Sequence, residues 1–252
     1  MTHPELVAAM SRPEFYPDRP DAVELVQTHI SLIFLAGDTV YKVKKAVNFG
    51  FLDFTTLEKR RHFCNEELRL NRRLAPQAYL EVAAITAGPD GKPELGGPGP
   101  VVEYAVKMRR LPQERMLKRL LAEGAVEPGT MEAVAQKLAA FHRDAETGGA
   151  IDRIGGIETI RHNHEENFEQ TVAFIGRTIP AEQYRFIRDY ALGFLIRERG
   201  LFDRRVADGR IRDCHGDLHL EHILIADEIL IFDCIEFNER FRYEDVAAEV
   251  AF

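Results

Sequence analysis

The sequence predicts an α+β protein: an antiparallel sheet with one helix in the first hundred residues, then a mainly helical remainder. The first observation is size and composition, since 252 residues with 45% hydrophobic and 29% charged side chains can bury a core of one globular unit or of two lobes. The second is a change of period near the middle of the chain, from β-rich runs between turns to helical spacing from Pro112 onward. A boundary is therefore expected between 1–108 and 109–252. The third is where the turn residues fall, because Gly and Pro clusters separate the runs without interrupting them.

Taken in order, Val23 to Val47 carries β-rich runs around Gly37-Asp38, a dipeptide suited to a tight hairpin. In the next segment Thr55 or Thr56 can cap a helix with Leu57, His62, Phe63, Leu70 and Leu74 roughly on one face, ending before Pro76. AYLEVAAIT and PGPVVEYAVKMRRL follow as strands around the Gly- and Pro-rich GPDGKPELGG. Beyond Pro112, ERMLKRLLAEG reads as a short helix closed by Gly124. TMEAVAQKLAAFHRDAE reads as a second, with Met131, Val134, Leu138 and Phe141 at helical spacing. Residues 148–165 read as Gly-rich and irregular at first, and AEQYRFIRDYALGFLIRERG as one helix ended by Gly200. The chain stops at DVAAEVAF inside an amphipathic pattern, so the expectation is a C-terminal truncation with more chain after Phe252.

Charge and composition exclude several classes. Lys and Arg number 33 against 41 Asp and Glu, a net charge of −8, which argues against a sequence-independent grip on nucleic acid. No apolar run approaches the roughly 20 residues of a membrane span, and the N-terminus lacks a secretory pattern, so the cytoplasm is expected. Cys64, Cys214 and Cys234 form neither a disulfide framework nor a zinc pattern. The only Gly-Lys, Gly91-Lys92, precedes Pro93, so the chain itself has no P-loop.

The densest chemistry lies in CHGDLHLEHILIADEILIFDCIEFN, Cys214 to Asn238. A loop leads into a short strand at Ile223 to Ile225, a turn at 226–228, and a return strand from Ile229 to Phe232 that delivers Asp233. The hairpin is expected to bring Asp217 and Asp233 towards one end, and paired carboxylates there suit a divalent cation with phosphate oxygens.

His215-Gly216-Asp217-Leu218-His219-Leu220-Glu221-His222-Ile223-Leu224, with Asp233 nine residues on, resembles the catalytic loop and metal-binding aspartate of the aminoglycoside phosphotransferase-like branch of the protein-kinase-like fold. It is most similar to a bacterial subgroup in which a P-loop ATPase domain often follows in the same chain. The resemblance implies a two-lobed fold, with a nucleotide-binding lobe at 1–108 and a helical, incomplete lobe at 109–252 carrying the catalytic loop. It implies an ATP-dependent phosphotransferase that moves the γ-phosphoryl group to a hydroxyl of a small molecule, with Asp217 as base and Asp233 as magnesium ligand. A second magnesium ligand, asparagine in the family, is here His222. Three readings follow: one metal held mainly by Asp233, a changed metal preference towards zinc, manganese or another transition metal, or lost catalysis with nucleotide binding kept.

The same resemblance asks for a lysine on the third strand paired with a helix glutamate. Lys42 is the first choice and Lys44, on the same face, the second; Glu67 is preferred to Glu66. Gln27-Thr28-His29 stands where a phosphate loop would be, with Thr28 as a donor. Backbone groups from Lys107 through Met108 to Arg109 stand where adenine would bind. His142 and His215 are expected to shape the catalytic loop, and Asp245 to support it. Arg69, Arg72 and Arg73 read as a solvated basic face, and His162, His164, Glu165 and Glu166 as a surface loop in preference to the lining of an acceptor site. Competing functions are a pseudokinase regulating an attached domain and a metal-dependent phosphoesterase built on the His and Asp cluster.

Overall fold

The computed structural model describes residues 3–252. In chain order its elements are α1 (His3–Met10), β1 (Val23–Gln27), β2 (Ser31–Ala36), β3 (Thr39–Lys44), α2 (Leu57–Asn71), β4 (Tyr79–Ala87), β5 (Pro93–Leu95) and β6 (Val101–Arg109). Then come α3 (Leu117–Ala122), α4 (Thr130–Asp144), α5 (Ala150–Ile154), α6 (Ile157–Thr171), α7 (Ala181–Arg197), α8 (Arg199–Ala207) and β7 (Ile211–Asp213). The chain closes with β8 (Ile223–Ile225), β9 (Ile229–Ile231), β10 (Tyr243–Asp245) and α9 (Val246–Ala251). The α+β class is as expected. Two compact units are formed, one holding the chain up to Lys137 with Leu218–Asn238, the other Leu138–Asp217 with Glu239–Phe252. Residues 109–137, and the hairpin that carries Asp233, thus belong with the sheet.

In the first unit six antiparallel strands run in the order β1-β2-β3-β6-β4-β5. Gly37, at φ 60°, makes the turn between β2 and β3. Period-two alternation sorts the strands' side chains onto two faces. Leu32, Phe34, Tyr41 and Val43 pack with Leu6 and Met10 of α1 on one face. Val40, Val106 and Met108 pack on the other with Cys64 of α2 and with Leu224 and Leu230 of the β8–β9 hairpin. Lys42 and Lys44 follow Val40 at the same period, so β3 directs both to the α2 face.

The N-terminus of α2 is capped by Thr56, whose side chain accepts from the Lys59 N–H. Its buried stripe is Arg60, Cys64, Glu67, Leu70 and Asn71, largely polar and sharing Leu70 with the apolar stripe expected. Arg60 is neutralised by Glu103 of β6 at 2.9 Å and donates to the Phe54 and Thr55 carbonyls.

In the second unit β7 and β10 form a short antiparallel ladder. Gly155 lets α5 approach it, since a Cβ there would stand 2.3 Å from Ile211 and 2.7 Å from the Tyr243 carbonyl. Residues 150–171 are mostly helical where an irregular stretch and a surface loop were expected: Gly155 and Gly156 separate two helices without preventing either. The single helix expected over 181–200 is two, broken at Glu198 (φ −99°, ψ 16°), and Gly200 lies inside α8. All three cysteines are buried, and none is joined in a disulfide. Among the described residues no helix is long and apolar enough to cross a membrane.

Candidate functional site

Glu67 of α2 is fully buried and meets two lysines of β3: Lys42 Nζ lies 2.9 Å from its Oε1, and Lys44 Nζ donates to its Oε2 at 2.7 Å. Lys42 also donates to Asp233 Oδ1 at 2.5 Å, and Lys44 to Glu236. Five charged groups therefore form one chain: Asp233, Lys42, Glu67, Lys44, Glu236. Glu66, the other candidate, faces outward and pairs with Arg69 at 2.7 Å.

Asp233 leaves β9 with φ 63°, a left-handed conformation that is uncommon outside glycine and is held here by neighbours. Its N–H donates to the Tyr79 hydroxyl at 3.1 Å, and the next N–H, of Cys234, donates to Asn71 Oδ1 at 2.9 Å. The side chain remains 41% exposed, against 13% for Lys42 and 1% for Lys44. Asp233 and Lys42 are thus the reachable end of the chain of charges, and Lys44 the closed end.

The electrostatics follow from that burial. Burial opposes the charge on Lys42, but Asp233 and Glu67 outweigh it and hold its pKa well above the ordinary lysine value. Burial would raise the Asp233 carboxyl; Lys42 and then His222 overcome it and hold the group well below the usual range. Glu67 is likewise held down by Lys42 and Lys44 against burial. Glu236 goes the other way, pushed up by burial beyond the pull of Lys44.

His222 sits at the Asp233 end of the β8–β9 hairpin, since Ile223 pairs with Ile231 and the Phe232 N–H donates to the His222 carbonyl. Its Nε2 lies 3.6 Å from Asp233 Oδ2, and its ring lies 3.8 Å from that of His219. One exposed carboxylate beside a lysine fits a cation that brings phosphate oxygens as its other ligands, the usual way magnesium is held. The imidazole adds a nitrogen donor, which suits zinc or another transition metal better than magnesium.

Two other expected binding residues are placed differently. In the Gln27-Thr28-His29 turn, the Thr28 N–H donates to the Ser31 carbonyl, and Thr28 Oγ1 accepts from the Ile30 and Ser31 N–H groups. The turn thus spends on itself most of the N–H groups that a phosphate would need. Lys107, Met108 and Arg109 lie inside β6, paired with β3 on one side and, through Lys107 and Met108, with β4 on the other, where the Arg109 N–H also donates to Ala78. Met108 is a core side chain at 9% exposure. Ladder pairing takes up the backbone of Lys107 and Met108 on both sides, where a free adenine-binding edge was expected. Of the arginines expected on a solvated face, Arg72 is exposed and donates to the Tyr79 and Leu80 carbonyls, whereas Arg73 is half-buried and donates to the Leu70 carbonyl and the Cys234 sulfur.

Asp217 belongs to the second unit, in a loop held by a buried carboxylate that sequence reasoning missed. Glu249 Oε1 accepts from the His215 N–H at 2.5 Å and the Gly216 N–H at 2.9 Å, while its Oε2 meets His142 Nε2 at 2.5 Å. Gly216 has φ 83°, and a Cβ there would stand 2.6 Å from the Phe241 carbonyl. The Asp217 N–H faces His215 Nδ1 at 3.3 Å, so His142 and His215 both shape the loop. Asp245, expected to support it, instead caps α9 through the Ala247 N–H and pairs with Arg205. The supporting carboxylate is one helical turn further on, a spacing that a search for aspartate alone passes over. Glu236 was missed similarly, although it stands three residues after Asp233. Nearby, burial and Glu249 push the Glu244 carboxyl up to about 8.

No family model matches the chain. It is 32% identical over 231 residues to uncharacterized proteins of Mycobacterium tuberculosis and Mycobacterium bovis, a match that covers 91% of this chain and 45% of theirs. The chain thus spans about half the length of the curated relatives it matches. Among solved structures it is similar to a choline/ethanolamine kinase family protein from Mesorhizobium loti. That likeness has 14% identity and a TM-score of 0.47, and covers 98% of this chain and 68% of that one.

Proposed function

We propose that the protein is an ATP-dependent phosphotransferase of the protein-kinase-like kind, which moves the γ-phosphoryl group to a hydroxyl of a small molecule. The observation that carries the reading is Lys42, paired with the buried Glu67 of α2 while it reaches the exposed Asp233. Phosphoryl transfer asks a protein chiefly to position groups and neutralise charge. Lys42 supplies a fixed cation for the α- and β-phosphates, and Glu67 fixes it. Asp233 would hold a magnesium ion arriving with the nucleotide, which supplies charge neutralisation at the phosphate oxygens; His222 beside it admits manganese. Asp217 is the base that orients the acceptor hydroxyl. Sugars and amino alcohols are acceptor classes to try alongside aminoglycosides, because fold does not determine substrate.

The test is transfer of label from γ-labelled ATP, with magnesium or manganese, to a panel of such alcohols. Transfer to at least one is expected, and Asp217→Asn should reduce it at least about 100-fold, the usual scale of general-base catalysis. A variant as active as the wild type removes Asp217 from this role. His222, in place of asparagine, favours a second reading, a module that binds nucleotide without transferring phosphate; tight binding with no transfer to any acceptor, or to water, selects it.

A further inference from the structure

The β8–β9 ladder stops short of Asp233. Its last bond runs from the Phe232 N–H to the His222 carbonyl, so the hairpin does not set the conformation of the aspartate that follows. Asp233 nonetheless holds φ 63°, a region that aspartate enters more readily than most residues but that still crowds a Cβ. Two side chains outside the hairpin take the N–H groups on either side of its Cα. The Tyr79 hydroxyl, at the start of β4, accepts from the Asp233 N–H at 3.1 Å, and Asn71 Oδ1, at the end of α2, accepts from the Cys234 N–H at 2.9 Å. Tyr79 and Asn71 are both buried, and an N–H that loses its partner in such a place costs more than the bond itself was worth. Asn71 is fixed in turn: its Nδ2 donates at 2.9 Å to the Glu67 carbonyl one helical turn back, which leaves Oδ1 for the Asp233 segment. One face of α2 thus holds both ends of the Lys42–Asp233 contact, Glu67 through the lysine and Asn71 through the peptide after the aspartate.

Building on the nucleotide reading above, we propose that Tyr79 and Asn71 are positioning residues: by keeping the Asp233 backbone left-handed they aim its carboxylate at the cation, and so set the affinity for the metal. Neither touches nucleotide or metal, and both act through Asp233. A right-handed or extended Asp233 would redirect its carboxylate away from Lys42 and His222. The cation would then bind only the fraction of molecules with the carboxylate in place, and its apparent affinity would fall by that fraction.

The experiment measures ATP affinity by calorimetry, with magnesium and with a chelator in its place. The proteins are the wild type, Tyr79→Phe, Asn71→Leu, Asp233→Asn and the double variant of Tyr79→Phe with Asp233→Asn. In Tyr79→Phe and in Asn71→Leu the affinity gained from magnesium is expected to fall about fivefold or more, while ATP without metal binds within about threefold of the wild type. In the Asp233→Asn background Tyr79→Phe should change nothing further, because a residue that acts through Asp233 has no carboxylate left to place. A magnesium gain that stays at the wild-type value in either variant removes that residue from the role. An equal loss with and without metal, or a loss that persists in full beside Asp233→Asn, would show the contacts to be structural only and overturn the proposal. Tyr79→Phe deletes a single oxygen and carries the test alone should Asn71→Leu fail to fold. Absence of Mg·ATP binding by the wild type would instead remove the nucleotide reading itself, and this inference with it.

Discussion

At Glu244 burial and a neighbouring carboxylate do what Lys42 does not have to suffer: they favour the neutral form, with a pKa raised to about 8. Its folded pKa lies above its ordinary value of 4.5, so between these values the folded state holds a proton that the unfolded chain has lost. Stability therefore falls as pH rises from about 4.5 to about 8 through this group. Glu244→Gln should melt higher than the wild type at pH 8, by several degrees, with the gap closing near pH 4. Equal melting temperatures across that range would contradict it. Asp233 and Glu67 have the opposite sign. Both are depressed, so their contribution is present above the ordinary carboxylate range and is lost only as acid reaches their folded values.

At the scale of elements, α2 is where sequence and structure part most usefully. Helical period identifies the helix, a cap at Thr55 or Thr56 and the inward place of Glu67, but the apolar stripe of Leu57, His62, Phe63, Leu70 and Leu74 does not reveal that Arg60 and Asn71 point inward. Hydrophobic periodicity cannot report a polar residue whose burial depends on a partner about 40 or more positions away, as Arg60 depends on Glu103 and Asn71 on the Cys234 N–H. Breaking the first of these by Arg60→Met should cost about 3–5 kcal/mol, because Glu103 is left buried and charged. Adding Glu103→Leu should return much of that loss, and urea denaturation of the two variants measures both. A double variant no more stable than Arg60→Met would show that Arg60 matters for packing alone. The β8–β9 hairpin was legible throughout, in its strands, turn and delivery of Asp233, since two short apolar runs around Ala226-Asp227-Glu228 allow little else. The end of α7 was not, because the break at Glu198 has no Gly or Pro to announce it.

For the whole molecule, the legible part is the α+β class and the residue types that gather at the site. Lys42, Glu67, Asp233 and His222 are brought together in one unit by a strand, a helix and a hairpin drawn from nearly 200 positions of chain. What could not be read were contacts set by three-dimensional pairing: the Glu249 carboxylate beneath the His215-Gly216 loop, the covering of one sheet face by α1, and the commitment of Met108 to the ladder. Lys42 and Asp233 are proposed to form a nucleotide and cation site in this unit. Calorimetric titration of Mg·ATP into the wild type, Lys42→Met and Asp233→Asn tests it most directly. The wild type is expected to bind, each variant to lose at least tenfold in affinity, and binding to depend on a divalent cation in a way that Asp233→Asn abolishes. A wild type that does not bind, or variants that bind as it does with the same magnesium dependence, would contradict it.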